Sequence, residues 1–147
     1  MSLRTFAKIF GVVFLLVGVS GFIPGVATPH THPGADDVIV DAGLGAVMGL
    51  FPVNVLHNLF HVAFGIWGLA AARSFGGARI YARGVAVIYT ALAIFGLIPT
   101  AKLWTTFGLI PLYGNDVWLH ILLAAAAGYF GFVHRDAGAE TTGSRGR

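Results

Sequence analysis

Histidine, asparagine and aspartate side chains interrupt two of the apolar stretches of this 147-residue chain. In the first stretch His57 and His61 stand four residues apart, and in the second Asp116 stands four residues before His120. Residues with this spacing share one face of a helix. Ionisable groups are costly in hydrocarbon, so within a membrane span they mark candidate functional sites.

One interpretation is an axial ligand pair for a macrocycle, either a b-type haem or a chlorophyll-like pigment. Imidazole is a common axial ligand, and facing helices can hold such a ring. His57 and His120 are the natural pair, because both are predicted about 7–10 Å below one membrane surface. His61, one turn deeper, is a third candidate cofactor-binding residue. Covalent haem attachment is excluded, since the chain has no cysteine.

A second interpretation is a bare transition-metal ion such as zinc, copper or iron. Its ligands would be His57, His61, His120 and Asp116. Asp116 could instead accept a hydrogen bond from the other ring N–H of His120 and orient that ring. Asn54 and Asn58 would orient His57 and His61 in the same way.

A third interpretation needs no ligand: the histidines hydrogen-bond the helices together, and the protein is a membrane scaffold or interaction subunit. The sequence contains no nucleophile elbow, phosphate loop or HExxH motif, which favours a binding protein over an enzyme. Within the binding interpretations we expect a small accessory subunit of an electron-transfer or pigment complex.

Four apolar segments are long enough to cross about 30 Å of hydrocarbon, which takes about 20 helical residues. Hydrophobic residues make up 56% of the chain and charged residues only 10%. Pro52 suits the first turn of the second helix, and Asn115 suits the N-cap of the fourth. The sequence predicts an all-α integral membrane four-helix bundle, with helices at 6–23, 50–72, 80–98 and 116–133.

The basic residues predict the orientation of this bundle. All but Lys102 flank one side of the four segments, and that side is cytoplasmic by the positive-inside rule. Both termini are therefore predicted to be cytoplasmic. A transmembrane domain would cover residues 1–136, followed by a flexible cytoplasmic tail at 137–147. The flanking basic residues are Arg4, Lys8, Arg73, Arg79, Arg83, Arg135, Arg145 and Arg147.

Two long loops lie on the opposite side of the predicted bundle. Apolar and aromatic residues in them predict a belt or lid at the membrane interface. His30 and His32 stand between prolines, which is typical of an extended, solvated loop. Besides the lipid bilayer, the expected partners are other membrane subunits or a second copy of the chain. Nucleic acid is not expected, because no basic stripe with interleaved aromatics is present.

The two stretches that carry the polar residues resemble a known sequence family. PxNxxHNxxH in the second helix and Asp-x-x-x-His at the start of the fourth are similar to a bacterial family of four-helix membrane proteins, domain of unknown function 4383. The resemblance covers most of the chain and implies that fold, with multi-pass insertion in the bacterial inner membrane. It implies no activity or cofactor. The matching residues are Pro52, Asn54, His57, Asn58, His61, Asp116 and His120.

Overall fold

The computed structural model of the protein describes residues 1–100 and 102–135. Its helices are α1 (Leu3–Ser20), α2 (Val55–Ala71), α3 (Phe75–Gly96) and α4 (Asn115–Gly128), and α4 continues as a π-helix over Tyr129–Val133. α1 packs mainly on α2, and α3 mainly on α4. One buried core contains residues of all four helices. The predicted flexible tail, 137–147, lies outside the described residues.

Three of the helical segments are long and apolar enough to cross a membrane: α1, α3 and α4 together with its π-helical end. α2 has 17 residues and therefore measures about 25 Å. Large apolar side chains cover the outside of the helices, for example Leu16, Val87 and Leu122, which are 66%, 62% and 67% exposed. Such broad apolar surfaces are rare on soluble monomers, and they fit contact with lipid.

Glycines allow α1 and α2 to lie unusually close together. A Cβ atom added to Gly11 would lie 2.9 Å from the backbone nitrogen of Leu69, and one added to Gly18 would lie 2.9 Å from Cβ of His61. Small residues at helix contacts are typical of membrane proteins. The approach of α1 at Gly18 therefore supports α2 at the level of His61.

The second helix begins later than the sequence predicts. We expected it from residue 50 with Pro52 in its first turn, whereas α2 starts at Val55 and Pro52 lies in a strand. Asn54 is the N-cap, and its side-chain oxygen accepts a hydrogen bond from the backbone N–H of His57 at 2.9 Å. This cap fixes the start of the helix, because it pairs a backbone donor that the helix leaves unpaired.

A small antiparallel sheet, which was not expected from the sequence, precedes α2. β1 (Ala27–Thr28) pairs with β2 (Gly45–Val47), which pairs with β3 (Phe51–Val53). Short 3₁₀ turns lie at Pro33–Asp37 and Leu103–Thr105. We call the described residues 22–53, 98–100 and 102–114 the loop layer. It covers the ends of the helices where α2 and α4 begin, so the two loops form one folded unit.

Two other predicted helix ends also differ from the structure. α3 was expected from residue 80 but begins at Phe75, because Ser74 caps it by accepting a hydrogen bond from the N–H of Gly77. Asn115 was expected to be the N-cap of α4. It is the first helical residue instead, and Gly114, with φ of 68°, occupies the cap position.

Candidate metal centre

The first turns of α2 and α4 bring the predicted polar residues together. The α2 cap places His57 at the third helical residue, and Asp116 lies at the second residue of α4 with His120 one turn later. His57, Asp116 and His120 are at most 5% exposed. Each offers a nitrogen or oxygen ligand atom, and these atoms lie within 4.8 Å of one another. We call these three residues the buried triad.

The spacing within the buried triad is close to that of a metal site. Metal bonds of about 2.0–2.2 Å place neighbouring ligand atoms of a tetrahedral ion roughly 3.3–3.6 Å apart. The Nε2 atom of His120 and the Oδ2 atom of Asp116 already lie 3.5 Å apart. A modest inward movement of the widest-spaced ligand atoms would bring all three within coordination distance of one ion, with further positions left for water.

Backbone carbonyls determine which nitrogen of His57 could bind an ion. Its Nδ1 atom lies 3.1 Å from the carbonyl oxygen of Pro52. A carbonyl can only accept, so Nδ1 carries the hydrogen, and Nε2 of the neutral ring keeps its lone pair. Nε2 is therefore the atom of His57 that would bind an ion. A backbone carbonyl bound to the other ring nitrogen is a common support for a metal-ligating histidine.

His61 lies beside the buried triad but does not belong to it. Its ring stacks on that of His57 with 4.5 Å between centroids, whereas the ring centroids of His57 and His120 are 6.2 Å apart. Nδ1 of His61 contacts the backbone oxygen of His57 at 3.1 Å. The predicted four-ligand set is thus assembled only in part, because one more helical turn moves His61 inward from the other three.

Two atoms of the buried triad lack hydrogen-bond partners among the described residues. They are Oδ2 of Asp116 and Nδ1 of His120. The contact between Asp116 and His120 does not have hydrogen-bond geometry, so the predicted orienting bond is not formed. Polar atoms buried without partners are costly. A cation held between Asp116 and Nε2 of His120 would pair with Oδ2 of Asp116, whereas Nδ1 of His120 would stay unpaired.

The two asparagines do not orient the imidazoles as the sequence suggested. Nδ2 of Asn54 donates to the carbonyl oxygens of Val40 and Leu109 at 2.8 and 2.7 Å, which fastens both loops to the start of α2. The side chain of Asn58 lies against Gly21, the C-cap of α1, and its Oδ1 atom has no partner among the described residues. Asn54 acts on the site through the backbone, because its oxygen is already used for helix capping.

A cavity of about 230 Å³ adjoins the buried triad. The rings of His57, His61 and His120 form part of its wall. The remaining wall is almost entirely apolar and comes from α2, α3 and the loop layer: Phe60, Phe64, Ile88, Tyr89, Leu92, Thr106, Ile110 and Leu112. Tyr89 also meets the ring of His120 edge-on at 4.9 Å. The sequence gives no sign of a site role for Tyr89 or Thr106, since Tyr89 stands in an otherwise apolar segment and Thr106 in a loop.

His30 and His32 are packed rather than extended and solvated. The ring of His32 stacks on Tyr113 at 4.2 Å, and the hydroxyl of Tyr113 lies 3.2 Å from Nε2 of His30. Burial raises the pKa of Tyr113 to about 12. Burial, with a smaller effect of nearby His30, lowers the pKa of His32. These contacts join the two loops, which lie far apart in the sequence, so the local proline pattern did not indicate them.

Comparison with known proteins gives one result. Neither a curated protein nor a solved structure matches the chain. A family model described as Domain of unknown function (DUF4383) matches residues 4–133, which include the four helices except the first residue of α1, and the buried triad. The chain therefore belongs to the DUF4383 family.

Proposed function

We propose that this protein is a membrane protein that binds one transition-metal ion with His57, Asp116 and His120. The observation that carries this proposal is the convergence of three buried ligating side chains from α2 and α4. A carboxylate within a membrane span is costly unless it is paired, and an ion would neutralise it. Two histidines with one carboxylate suit iron(II), and they also suit zinc when a water completes the shell.

The size of the neighbouring cavity favours an ion over a macrocycle. Its volume of about 230 Å³ is below the roughly 300 Å³ at which pockets for drug-sized ligands begin. A tetrapyrrole is larger than the smallest of these ligands. It would have to displace His61, which stacks on His57 at 4.5 Å, or Tyr89, which contacts His120.

The membrane placement belongs to the same proposal. The four helices form a transmembrane bundle with both termini in the cytoplasm of a bacterium, so the buried triad lies near the outer surface of the inner membrane. The distribution of basic residues supports this orientation. The same proposal makes the protein an accessory subunit. Its sequence contains no nucleophile motif, and the oxidant for any redox reaction would have to come from the bound metal or from a partner protein.

Metal analysis of the purified protein tests the proposal. The full chain is extracted in mild detergent without chelator, and its metal content is measured by plasma mass spectrometry. About one ion per chain is expected, falling to background in His57→Ala and His120→Ala. His134→Ala is the matched control, because it removes a histidine from the far end of α4 and should keep the ion.

Two outcomes would overturn the proposal. A visible absorption spectrum dominated by a tetrapyrrole band would replace the ion with a macrocycle. A stable wild-type protein that stays metal-free after incubation with iron(II) or zinc would favour the scaffold function. The hydrogen bond from His57 to the carbonyl oxygen of Pro52, which joins α2 to β3 without any ligand, is the observation behind that second candidate.

A further inference from the structure

We infer that the cavity beside the buried triad binds a small phenolic ring that arrives from the lipid. This inference goes beyond the proposed metal site, because it depends on cavity residues that are not ligands of the ion. It rests on the volume of the cavity, its opening, and two polar groups in its wall.

The volume suits one aromatic ring. An apolar cavity of about 150 Å³ in another protein holds benzene, and this cavity measures about 230 Å³. The difference leaves room for one or two substituents. Phe60, Phe64 and Tyr89 line the cavity, and aromatic side chains contact a bound ring favourably through their faces and edges.

The cavity reaches the outside of the protein between α2 and α3. Two of its lining residues, Phe60 and Ile88, are 51% and 39% exposed. Both belong to the apolar surface of the helices, which faces lipid in a membrane. A ligand can therefore enter laterally from the hydrocarbon of the membrane. This route favours an uncharged, membrane-soluble molecule.

Two lining side chains carry polar atoms that can hydrogen-bond a hydroxyl group of this ligand. Nδ1 of His61 carries the hydrogen that the His57 carbonyl accepts, so Nε2 of the neutral His61 ring is an acceptor without a partner among the described residues. The hydroxyl of Thr106 is buried and also lacks a described partner. A phenolic oxygen can donate to Nε2 of His61 or accept from the hydroxyl of Thr106, whereas a hydrocarbon ring can pair with neither.

The backbone conformation of Thr106 is unusual for a threonine. Its φ is 47°, in the left-handed region, where a β-branched residue is a genuine outlier. Glycine or asparagine would fit that position with less strain. The observed threonine instead contributes a hydroxyl group to the cavity wall.

Phenol and toluene are the probes that test this inference, because they share one shape and differ in the hydroxyl. Both are titrated into the full chain in detergent, with histidine ring nitrogens labelled for NMR. Phenol should bind about 10-fold or more tightly than toluene and shift the Nε2 signal of His61. In His61→Leu and in Thr106→Val, the preference for phenol should fall to about 3-fold or less, while toluene still binds.

A space-filling variant checks the location of the probes. Leu92→Trp should abolish binding of both, since it fills the cavity from α3 without removing either polar group. Equal wild-type affinities for phenol and toluene would overturn the inference, as would unchanged binding in Leu92→Trp. Metal content is measured on the same samples: phenol binding that persists in metal-free protein supports the cavity even if the metal proposal fails.

Discussion

His57 donates a hydrogen bond from Nδ1 to the carbonyl oxygen of Pro52 across 3.1 Å. Pro52 belongs to β3 and His57 to α2, so this bond joins the imidazole to the loop layer. It fixes the position of the ring hydrogen and leaves the Nε2 lone pair to bind a ligand. The small sheet therefore determines the tautomer of His57, the α2 residue of the buried triad.

Replacing Asp116 with Asn should change metal affinity and metal-free stability in opposite directions. Metal affinity should fall by at least the roughly 10-fold to 100-fold that is typical when a hydrogen-bonding partner of a ligand is lost, because Asp116 is itself a proposed ligand. The chelator-treated protein should melt about 2–4 °C higher, as expected for a gain of about 1 kcal/mol, because a buried carboxylate with an unpaired oxygen is removed. Equilibrium dialysis and thermal unfolding in detergent measure the two quantities.

The matched control for that change is Asp41→Asn, which neutralises an exposed aspartate of the loop layer. It should alter neither metal affinity nor melting temperature. If Asp116→Asn retained wild-type affinity, the carboxylate could not be part of the metal site.

Asn54→Ala should loosen the loop layer and destabilise α2 together. The change removes the helix cap, which costs about 1 kcal/mol, and two donor bonds to Val40 and Leu109, each worth about 1 kcal/mol. We expect unfolding to become easier by about 2–4 kcal/mol. Chemical denaturation in detergent measures the loss, and limited proteolysis should show earlier cleavage in the loop layer.

Asn115→Ala is the control for Asn54. Asn115 also starts a helix and reaches a loop carbonyl, that of Leu50, but it is exposed and its bond is 3.4 Å long. Its removal should cost less than about 0.5 kcal/mol. Equal losses in the two variants would contradict the structural role assigned to Asn54.

Acid should weaken the contact between the two loops through His32. Partial burial and the nearby His30 lower the pKa of His32 below 6.5, so the unfolded chain takes up the proton first as the pH falls. The stability that neutral His32 provides is therefore present above about pH 6.5 and is lost as the pH falls through the folded pKa. Protonation at Nδ1 would also break the hydrogen bond from the N–H of Gly34.

Histidine NMR and Trp104 fluorescence should follow this transition, since the ring centroids of Trp104 and His32 are 5.7 Å apart. His32→Phe keeps a ring on Tyr113 but cannot be protonated, so the fluorescence change should disappear. A change of the same size in His32→Phe would assign the acid response to another group.

Cysteine labelling tests the proposed orientation, and the chain is suited to it because it has no cysteine of its own. Thr31 is an exposed residue of the loop layer, and Gly76, at the other end of the helices, has open space around its Cα atom. A membrane-impermeant maleimide should label Thr31→Cys in spheroplasts and Gly76→Cys only after lysis. The reverse pattern, or labelling of both before lysis, would contradict the orientation.

The sequence by itself determined the helical segments and the alignment of their polar residues. Apolar runs of this length favour helices in a membrane, and the helical repeat of 3.6 residues places His57 with His61, and Asp116 with His120, on one face each. Counting residues from the ends of the segments also predicted similar depths for His57 and His120. These inferences are local, so they need no knowledge of the chain path between the helices.

The tertiary structure alone decided how the site is assembled. His57, Asp116 and His120 converge in the folded chain, whereas His61 lines a cavity. The side chain of Asn54 hydrogen-bonds to both loops. The partners of Asn54 lie 14 and 55 residues away in the chain. Helical periodicity carries no information on such distant partners, because they depend on how the loops fold over the helix ends.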